Sequence, residues 1–382
     1  MKGRGIRTKA DGDTGVPAVG SAAPGTVELG PQKDGGRRAS RNRFLLRPWR
    51  TTFALLALAF LGLELFLRLL PFPLLDFAFE ARQVYRYHDR WYTDFQPGSR
   101  ARLALPDGNG GNILDFEIVV DERGLRRVEG DGAAPSDATV VHTIGDSFTM
   151  GWGVDGDATY PARLGPLLGS SFQVVNLGVN GFGAIGATEK SAALFDSMPP
   201  DLVIYVATEN DYEDDEKALR HARRSGWHRG LLRLADGFRR TFLVGSLPFA
   251  GRWALQLARL DAADVTDASM PEAPIRVLDE EPLAPHRPDW GAASKEALRR
   301  YVEHDLPASA SMLVVTHGVG PMVQDLAAFS QTLGLPLLRL EFDPRLIIPR
   351  DGHLTEQGNR RLAEVIAQRV LADRTQSAVP KP

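Results

Sequence analysis

A serine directly after an apolar segment is the residue best placed to do chemistry in this chain. The Gly-Asp-Ser-Phe stretch 145–148 follows residues 139–144, which have the composition of a buried strand. A serine there can present its hydroxyl at the edge of a sheet, although solvated turns use the same residues. Ser147 needs a base within hydrogen-bond reach, and His353 supplies an imidazole that titrates in the useful range. Asp351, two residues earlier, is a carboxylate that could orient that imidazole.

Two further segments offer neutral hydrogen-bond donors. Residues 174–183 run from a strand-like stretch into a glycine-rich turn that contains Gly181, where backbone N–H groups can point at a ligand. Residues 201–211 form another strand-like stretch that ends in Asn210 and Asp211. The oxyanion of an acyl-transfer reaction needs preorganised donors of this kind. Since open α/β sheets bind ligands beyond the carboxyl ends of their strands, we expect these groups to meet at one sheet edge.

The elements that would position these groups alternate between strand and helix. Strands end near residues 144, 176 and 207, and after residue 305 the pattern gives strands at 312–316 and 335–340 with a helix at about 321–333 between them. The Asp351–His353 loop and a final helix at about 355–372 follow. This order predicts an α/β fold, a three-layer α/β/α sandwich with a five-stranded parallel sheet.

Four segments, which contain Ser147, Gly181, Asn210 and the Asp351–His353 pair, are called the four blocks. In their order along the chain, the four blocks resemble the SGNH branch of the GDSL hydrolase superfamily over roughly residues 115–372. The resemblance implies that Ser147 is the nucleophile, His353 the general base and Asp351 its orienting carboxylate. It implies an oxyanion hole formed by the backbone N–H groups of Ser147 and Gly181 and by the side-chain amide of Asn210.

One departure from the family pattern concerns the last block. The commonest pattern has two residues between the aspartate and the histidine, whereas here only Gly352 intervenes, a spacing associated with a subset of bacterial envelope members. The sequence implies no cofactor and no metal, because no pair of histidines shows metal-site spacing with other ligands.

The N-terminal region reads as a membrane anchor. Residues 1–50 form a basic tail, predicted to be disordered and cytoplasmic, that ends in an arginine cluster at Arg37, Arg38, Arg41, Arg43, Arg47 and Arg50. Residues 51–70 are long and apolar enough for one transmembrane helix if Glu64 lies near the interface. A cleavable signal peptide is disfavoured by the long leading region, and a buried amphipathic helix stays an alternative because Glu64 and Arg68 are an i, i+4 pair. The cluster predicts a single-pass protein of the cell membrane with an extracytoplasmic catalytic domain.

The remaining boundaries follow from changes in pattern. Residues 71–135 are predicted to be a linker with an accessory strand at 116–120, followed by a Gly-x-Arg turn in which Arg126 either faces substrate or, the favoured interpretation, pairs with a carboxylate. The hydrolase-like domain covers 136–372, with a helical insertion at about 212–305 that could pack on the domain, rest on the membrane or cap the site. Residues 373–382 are predicted to be a disordered tail.

Composition limits the remaining function classes. A net charge of −3 indicates no nucleic-acid partner, and the absence of cysteine excludes disulfides and thiol catalysis. His142 is predicted to be a core residue and His317 a candidate pocket residue, while the other five histidines outside the triad are expected at the surface, namely His88, His221, His228, His286 and His304.

The favoured function is that of a serine esterase or O-acyltransferase acting on an acyl ester of an envelope or extracellular carbohydrate through an acyl-Ser147 intermediate. A lipase or thioesterase of the same fold and a non-catalytic glycan-binding module stay open as alternatives.

Overall fold

The computed structural model describes residues 47–70, 72–106, 110–127, 137–244, 246, 274–279, 281–349 and 351–378. Of the tail predicted to be disordered, residues 1–50, positions 1–46 with four of the six clustered arginines lie outside this part of the chain, whereas residues 47–50 are helical. The chain divides into two units, Met1–Leu58 and Ala59–Pro382. Helix α1 (Arg47–Leu69) begins in the first unit and ends in the second. Within it, Trp49–Leu69 is long and apolar enough to cross a membrane, and none of its most apolar window is buried.

Residues 72–119 carry more structure than the predicted linker with one strand. Helix α2 (Pro73–Gln83) is followed by two antiparallel hairpins, β1 (Tyr85–His88) with β2 (Tyr92–Phe95) and β3 (Arg100–Pro106) with β4 (Asn112–Val119). Burial alternates strictly along β3, so Ala101, Leu103 and Leu105 face a core with α2. The predicted strand at 116–120 corresponds to the second half of β4.

The central sheet confirms the five predicted parallel strands and adds a sixth. Its strands are β5 (Thr139–Gly145), β6 (Phe172–Asn176), β7 (Leu202–Ala207), β8 (Ile275–Val277), β9 (Ser311–His317) and β10 (Leu337–Phe342). Their spatial order is β6-β5-β7-β9-β10-β8. All neighbours are parallel except β8, which lies at the edge of the sheet and pairs antiparallel with β10. The sequence analysis missed β8 because three residues are too few to show a period.

Helices cover both faces of this sheet. The helices from residue 147 onward are α3 (Ser147–Met150), α4 (Tyr160–Leu168), α5 (Ala184–Ala192), α6 (Asp211–Ala222), α7 (Gly226–Gly237), α8 (Ala292–Arg300), α9 (Pro321–Thr332) and α10 (Glu356–Ala378), and five of them pack on the sheet. One face packs against α5, α8 and α9, and the other against α4 and α10. The three-layer α/β/α sandwich is therefore confirmed.

Three details differ from the sequence-based expectations. The predicted insertion ends in a core element, because Leu298 of α8 and Tyr301 of the π-helical turn after it are fully buried against the sheet. The final helix continues to Ala378 rather than ending near residue 372, and an ion pair between Arg369 and Asp373 supports its extra turns. His221, expected at the surface, is buried and lies 2.9 Å from the hydroxyl of Tyr87.

Candidate active site

The nucleophile candidate lies at a tight exit from the central strand β5. Gly145 ends this strand with φ of +149°, and a Cβ there would lie 2.5 Å from Oγ1 of Thr149 and 2.6 Å from the carbonyl oxygen of Val206. Only glycine therefore fits this position. Asp146 caps the short helix α3 by accepting the N–H of Phe148 at 2.9 Å, which places Ser147 in its first turn.

Ser147, His353 and Asp351 form a continuous hydrogen-bonded chain. The hydroxyl of Ser147 lies 2.8 Å from Nε2 of His353, and Nδ1 of His353 lies 2.6 Å from Oδ1 of Asp351. The carboxylate accepts, so Nδ1 carries the proton and Nε2 is free to accept the serine proton. The partners are 206 and two residues apart in sequence. The structure thus brings together the three residues that the sequence singled out for acyl transfer.

A tight turn explains how one intervening residue suffices between Asp351 and His353. Gly352 has φ of +89°, and its N–H donates to the carbonyl oxygen of Ile348 at 3.1 Å. The carbonyl oxygen of His353 accepts the N–H of Ile348 at 2.7 Å, which closes the turn. The left-handed backbone at the glycine folds the aspartate back onto the histidine ring.

Trp152 contacts the carboxylate, and the sequence analysis did not single it out. Its indole Nε1–H donates to Oδ2 of Asp351 at 3.3 Å, and only 2% of the Asp351 side chain is exposed. The indole packs edge-on against Phe77 of α2 and Phe116 of β4. The segment before the sheet therefore helps to position the acidic member of the chain.

Arg126 has a structural position close to this tryptophan. Its guanidinium is fully buried and donates to the carbonyl oxygens of Met150 and Gly151 at 2.9 and 2.6 Å. These carbonyls lie between Ser147 and Trp152, so Arg126 fixes the course of that segment. The favoured structural interpretation agrees with this geometry, but the expected carboxylate partner was wrong, because the two terminal nitrogens of the guanidinium donate to backbone carbonyl oxygens. Its Nε is buried without a partner among the described residues. Burial lowers the pKa of Arg126 to about 10, which keeps it charged at neutral pH.

The proposed oxyanion donors lie on the two neighbouring strand exits. Gly178 lets the turn after β6 approach α3, since a Cβ there would lie 2.2 Å from the backbone nitrogen of Met150. Gly181, in the same turn, is exposed with φ of +80°. Asn210 is exposed at the start of α6, and its Nδ2 donates to Oδ2 of Asp214 at 2.6 Å. An amide nitrogen carries two hydrogens, so one stays available for a ligand.

A buried polar network behind Ser147 was not foreseen. The Thr208 hydroxyl lies 2.8 Å from oxygens of Asp146, Asn210 and Asp211. One hydroxyl supplies one proton for these three contacts, so the other two would need a proton from the neighbour, which only a carboxyl among them can carry. Burial raises the pKa of Asp211 well above its usual range and also raises that of Asp146. The network ties the Asn210 turn to the nucleophile loop.

The other histidines near the sheet do not touch Ser147. The His317 ring lies 4.2 Å from the ring of Phe148, which in turn lies 5.2 Å from that of His353. Burial lowers the pKa of His317 to about 4, so it is neutral at physiological pH. His142 is a packed core residue, as expected, with Nδ1 2.9 Å from Oγ of Ser191.

Comparisons with known proteins gave fold likenesses alone. No family model and no curated protein matches the chain. Among solved structures, an aryl esterase of M. smegmatis is 19% identical, covering 62% of this chain and 99% of its own with a TM-score of 0.30. The carbohydrate acetylesterase Est24 of Sinorhizobium meliloti is 15% identical, covering 61% and 99% with a TM-score of 0.31. A putative lipolytic protein of the G-D-S-L family from Desulfitobacterium hafniense is 14% identical, covering 61% and 99% with a TM-score of 0.30.

At these identities and TM-scores the likenesses add no weight to a functional assignment. The chain itself has the sandwich fold that its element order predicts, and it has the contact between Ser147, His353 and Asp351 that the resemblance to SGNH hydrolases implies.

Proposed function

We propose that this protein is a membrane-anchored serine ester hydrolase or O-acyltransferase of the SGNH type, acting on an acyl ester of an envelope or extracellular glycan. The observation that carries the proposal is the chain from Ser147 through His353 to Asp351, with distances of 2.8 and 2.6 Å. A histidine that only stabilised the core through its hydrogen bond to Asp351 would not need its second nitrogen within hydrogen-bond distance of a serine at a strand exit.

The geometry supports a two-step acyl transfer. In the first step Nε2 of His353 takes the proton of Ser147 while the serine oxygen attacks the ester carbonyl. The backbone N–H groups of Ser147 and Gly181 and the amide of Asn210 are the proposed donors to the oxyanion. As the tetrahedral intermediate collapses, His353 returns the proton to the leaving alcohol and the acyl group stays on Ser147.

The second step repeats the first with a different nucleophile. His353 removes a proton from water or from a sugar hydroxyl, and that oxygen attacks the acyl-serine carbonyl. As this second intermediate collapses, the bond to the serine oxygen breaks and His353 returns the proton to Ser147, which releases the acid or the acylated sugar. Asp351 holds the imidazole in the required tautomer through both steps and stabilises the imidazolium. Hydrolysis and transfer therefore share one site, and the choice between them depends on how well water is excluded and the acceptor is held.

The anchor supports a glycan or lipid-linked acceptor. An enzyme tethered at the membrane surface gains local concentration of substrates assembled there, but gains nothing for one that diffuses freely. Arg47 and Arg50 at the start of α1 favour a cytoplasmic N-terminus, which supports an extracytoplasmic catalytic domain.

The test uses the full-length chain in lipid nanodiscs and the Ser147→Ala variant. We expect kcat for p-nitrophenyl acetate to fall more than about 10³-fold with an unchanged melting temperature, since only the nucleophile is lost. Ser197→Ala, at an exposed position, is the matched control and should keep full activity. More than a few per cent of residual activity in Ser147→Ala contradicts the proposal. Adding glycan acceptors to the same assay separates the two reactions, because a transferase yields an acylated sugar and a hydrolase yields free acid.

A further inference from the structure

Helix α7 turns its apolar face away from the protein. Trp227, Leu231, Leu234 and Phe238 recur at spacings of four, three and four residues, which puts them on one side of a helix. We call these four residues the α7 stripe. Their side chains are 69, 44, 60 and 52% exposed. An amphipathic helix of a globular domain ordinarily buries such a face, yet no residue of α7 is buried.

Polar contacts hold α7 from its other side. Asp236, on the face opposite the α7 stripe, accepts from Arg82 at 2.6 Å and from the backbone N–H of Tyr87 at 3.0 Å. Arg233 pairs with Asp89, with Nε 3.0 Å from Oδ1. Since these contacts fix how α7 is rotated about its axis, the exposure of the stripe is a built feature of the fold.

The end of the α7 stripe lies close to the end of the candidate membrane helix. Arg68, in the last turn of α1, donates to the carbonyl oxygen of Arg240 at 2.9 Å. Glu64, one turn earlier, accepts the backbone N–H groups of Phe242 and Leu243 at 2.5 and 2.9 Å. Phe238 is two residues from Arg240, which is at most about 7 Å of chain.

These contacts also explain how α1 tolerates two charged residues. Glu64 and Arg68 form an i, i+4 ion pair at 2.8 Å, and the Glu64 side chain is only 12% exposed. Arg68 also lies over the ring of Phe79, 5.1 Å from its centroid. Paired in this way, both residues suit the boundary between hydrocarbon and headgroups, whose polar layer is about 5–7 Å thick on each side.

The charge around α7 also favours contact with a membrane surface. The stretch 220–240 contains seven arginines and one acidic residue, Asp236. Helices that lie in a membrane interface combine an aromatic and aliphatic face with arginine or lysine flanks, which attract anionic headgroups.

We propose that α7 lies on the outer surface of the membrane crossed by α1, with the α7 stripe inserted among the lipids. The inference rests on the proposed anchor, because α1 sets the level of the bilayer. It gives the catalytic domain a second attachment, which restricts its rotation about α1 and holds the site at a defined orientation over the membrane.

Single cysteines test this placement, since the chain has none of its own. The full-length protein carrying Leu231→Cys or Leu234→Cys is reconstituted in vesicles of phosphatidylcholine and phosphatidylglycerol and spin-labelled. Accessibility to oxygen, which partitions into lipid, is compared with accessibility to a water-soluble nickel chelate. Leu167→Cys is the matched control, because Leu167 of α4 is 44% exposed, as is Leu231. We expect an oxygen-to-nickel ratio at least about fivefold higher at the stripe than at the control.

A label at Leu61→Cys in α1 separates this inference from the anchor itself. If that label lies in lipid while both stripe labels match Leu167→Cys, the inference is overturned and the anchor stands. If Leu61→Cys is also aqueous, the anchor and the inference both fail. Spin–spin broadening at the stripe that disappears on dilution with unlabelled protein would show a second copy of the chain covering α7, which also overturns the inference. Hydrolysis of p-nitrophenyl acetate by the same vesicles reports on the catalytic proposal independently.

Discussion

The substitution Asp351→Asn probes how the structure sets the tautomer of His353. The two carboxylate oxygens now have different donors, with Nδ1 of His353 at 2.6 Å from Oδ1 and Nε1 of Trp152 at 3.3 Å from Oδ2. An asparagine keeps the shape but has one acceptor oxygen and one donor nitrogen. The indole can only donate, so it favours the amide oxygen facing Trp152 and the amide nitrogen facing His353, whereas the backbone N–H of His353, 3.3 Å from Oδ1, favours the reverse orientation.

The orientation with the amide nitrogen toward His353 inverts the tautomer of the histidine ring. With an amide N–H pointing at it, Nδ1 must accept, so the ring proton moves to Nε2 and the nitrogen facing Ser147 can no longer take a proton. A loss of the orienting carboxylate costs about 10⁴-fold in kcat in the well-studied serine proteases. We expect about 10³-fold here, which is less than for His353→Ala. Flipping the amide costs about one hydrogen bond, about 1 kcal/mol or fivefold. The remaining loss, about 200-fold, comes from the missing charge that stabilises the imidazolium.

The double variant Asp351→Asn with Trp152→Phe isolates this effect. Phenylalanine keeps the ring packing against Phe116 but removes the donor that fixes the amide, so the flipped amide becomes accessible. We expect the double variant to recover about five- to tenfold in kcat over Asp351→Asn, the equivalent of that hydrogen bond.

The assay is steady-state hydrolysis of p-nitrophenyl acetate between pH 6 and 9, with melting temperatures as the folding control and Asp196→Asn as an exposed Asp-to-Asn reference. If Asp351→Asn keeps more than a tenth of wild-type activity, another carboxylate serves His353. If the double variant is no more active than Asp351→Asn alone, the tautomer argument is wrong even though Asp351 matters.

Two further outcomes follow from buried carboxylates. Asp214→Ala should free the Asn210 amide and lower kcat by about tenfold. This loss is smaller than the loss of about 10²- to 10³-fold expected for Asn210→Ala. Equal activity of Asp214→Ala and wild type would refute the idea that Asp214 positions Asn210. Burial raises the pKa of Asp215 to about 7, so the wild-type stability that depends on its proton is complete below about pH 4 and is lost as the pH rises to about 7. Denaturant melts of Asp215→Asn should therefore show it gaining on wild type by up to about 4 kcal/mol over that window, and a pH-independent difference would mean that Asp215 is ionised in the folded protein.

The sheet and the ends of its strands could be predicted because their signals are local. Apolar runs mark β5, β6 and β7, and the carboxyl ends of parallel strands meet at one edge, so Ser147 and His353 were expected to converge. The left-handed backbone of Gly352 also depends on local sequence alone, since so short a turn between Asp351 and His353 favours a residue with positive φ.

The supporting contacts could not be predicted, because they join residues far apart in sequence. Trp152 and Asp351 are 199 residues apart, and nothing in either segment marks the other as its partner. The Thr208 network forms only because two loops lie side by side, and no periodicity in the sequence indicates that they do. The α7 stripe was visible as an amphipathic pattern, but the side it turns to the domain depends on Asp236 and its partners from α2 and β1.

The acyl-serine intermediate is the most direct test of the central claim. The full-length protein is mixed with p-nitrophenyl acetate, quenched in acid within the first turnovers, digested and analysed by peptide mass spectrometry. We expect one added acetyl group on the peptide that contains Ser147. If Asn210 also assists deacylation, more of this acetyl-enzyme accumulates in an Asn210→Ala variant. We expect no acetyl group on the matching peptide of Ser147→Ala. Turnover by the wild type without acetylation of Ser147, or with the acetyl group on another residue, would show that Ser147 is not the nucleophile.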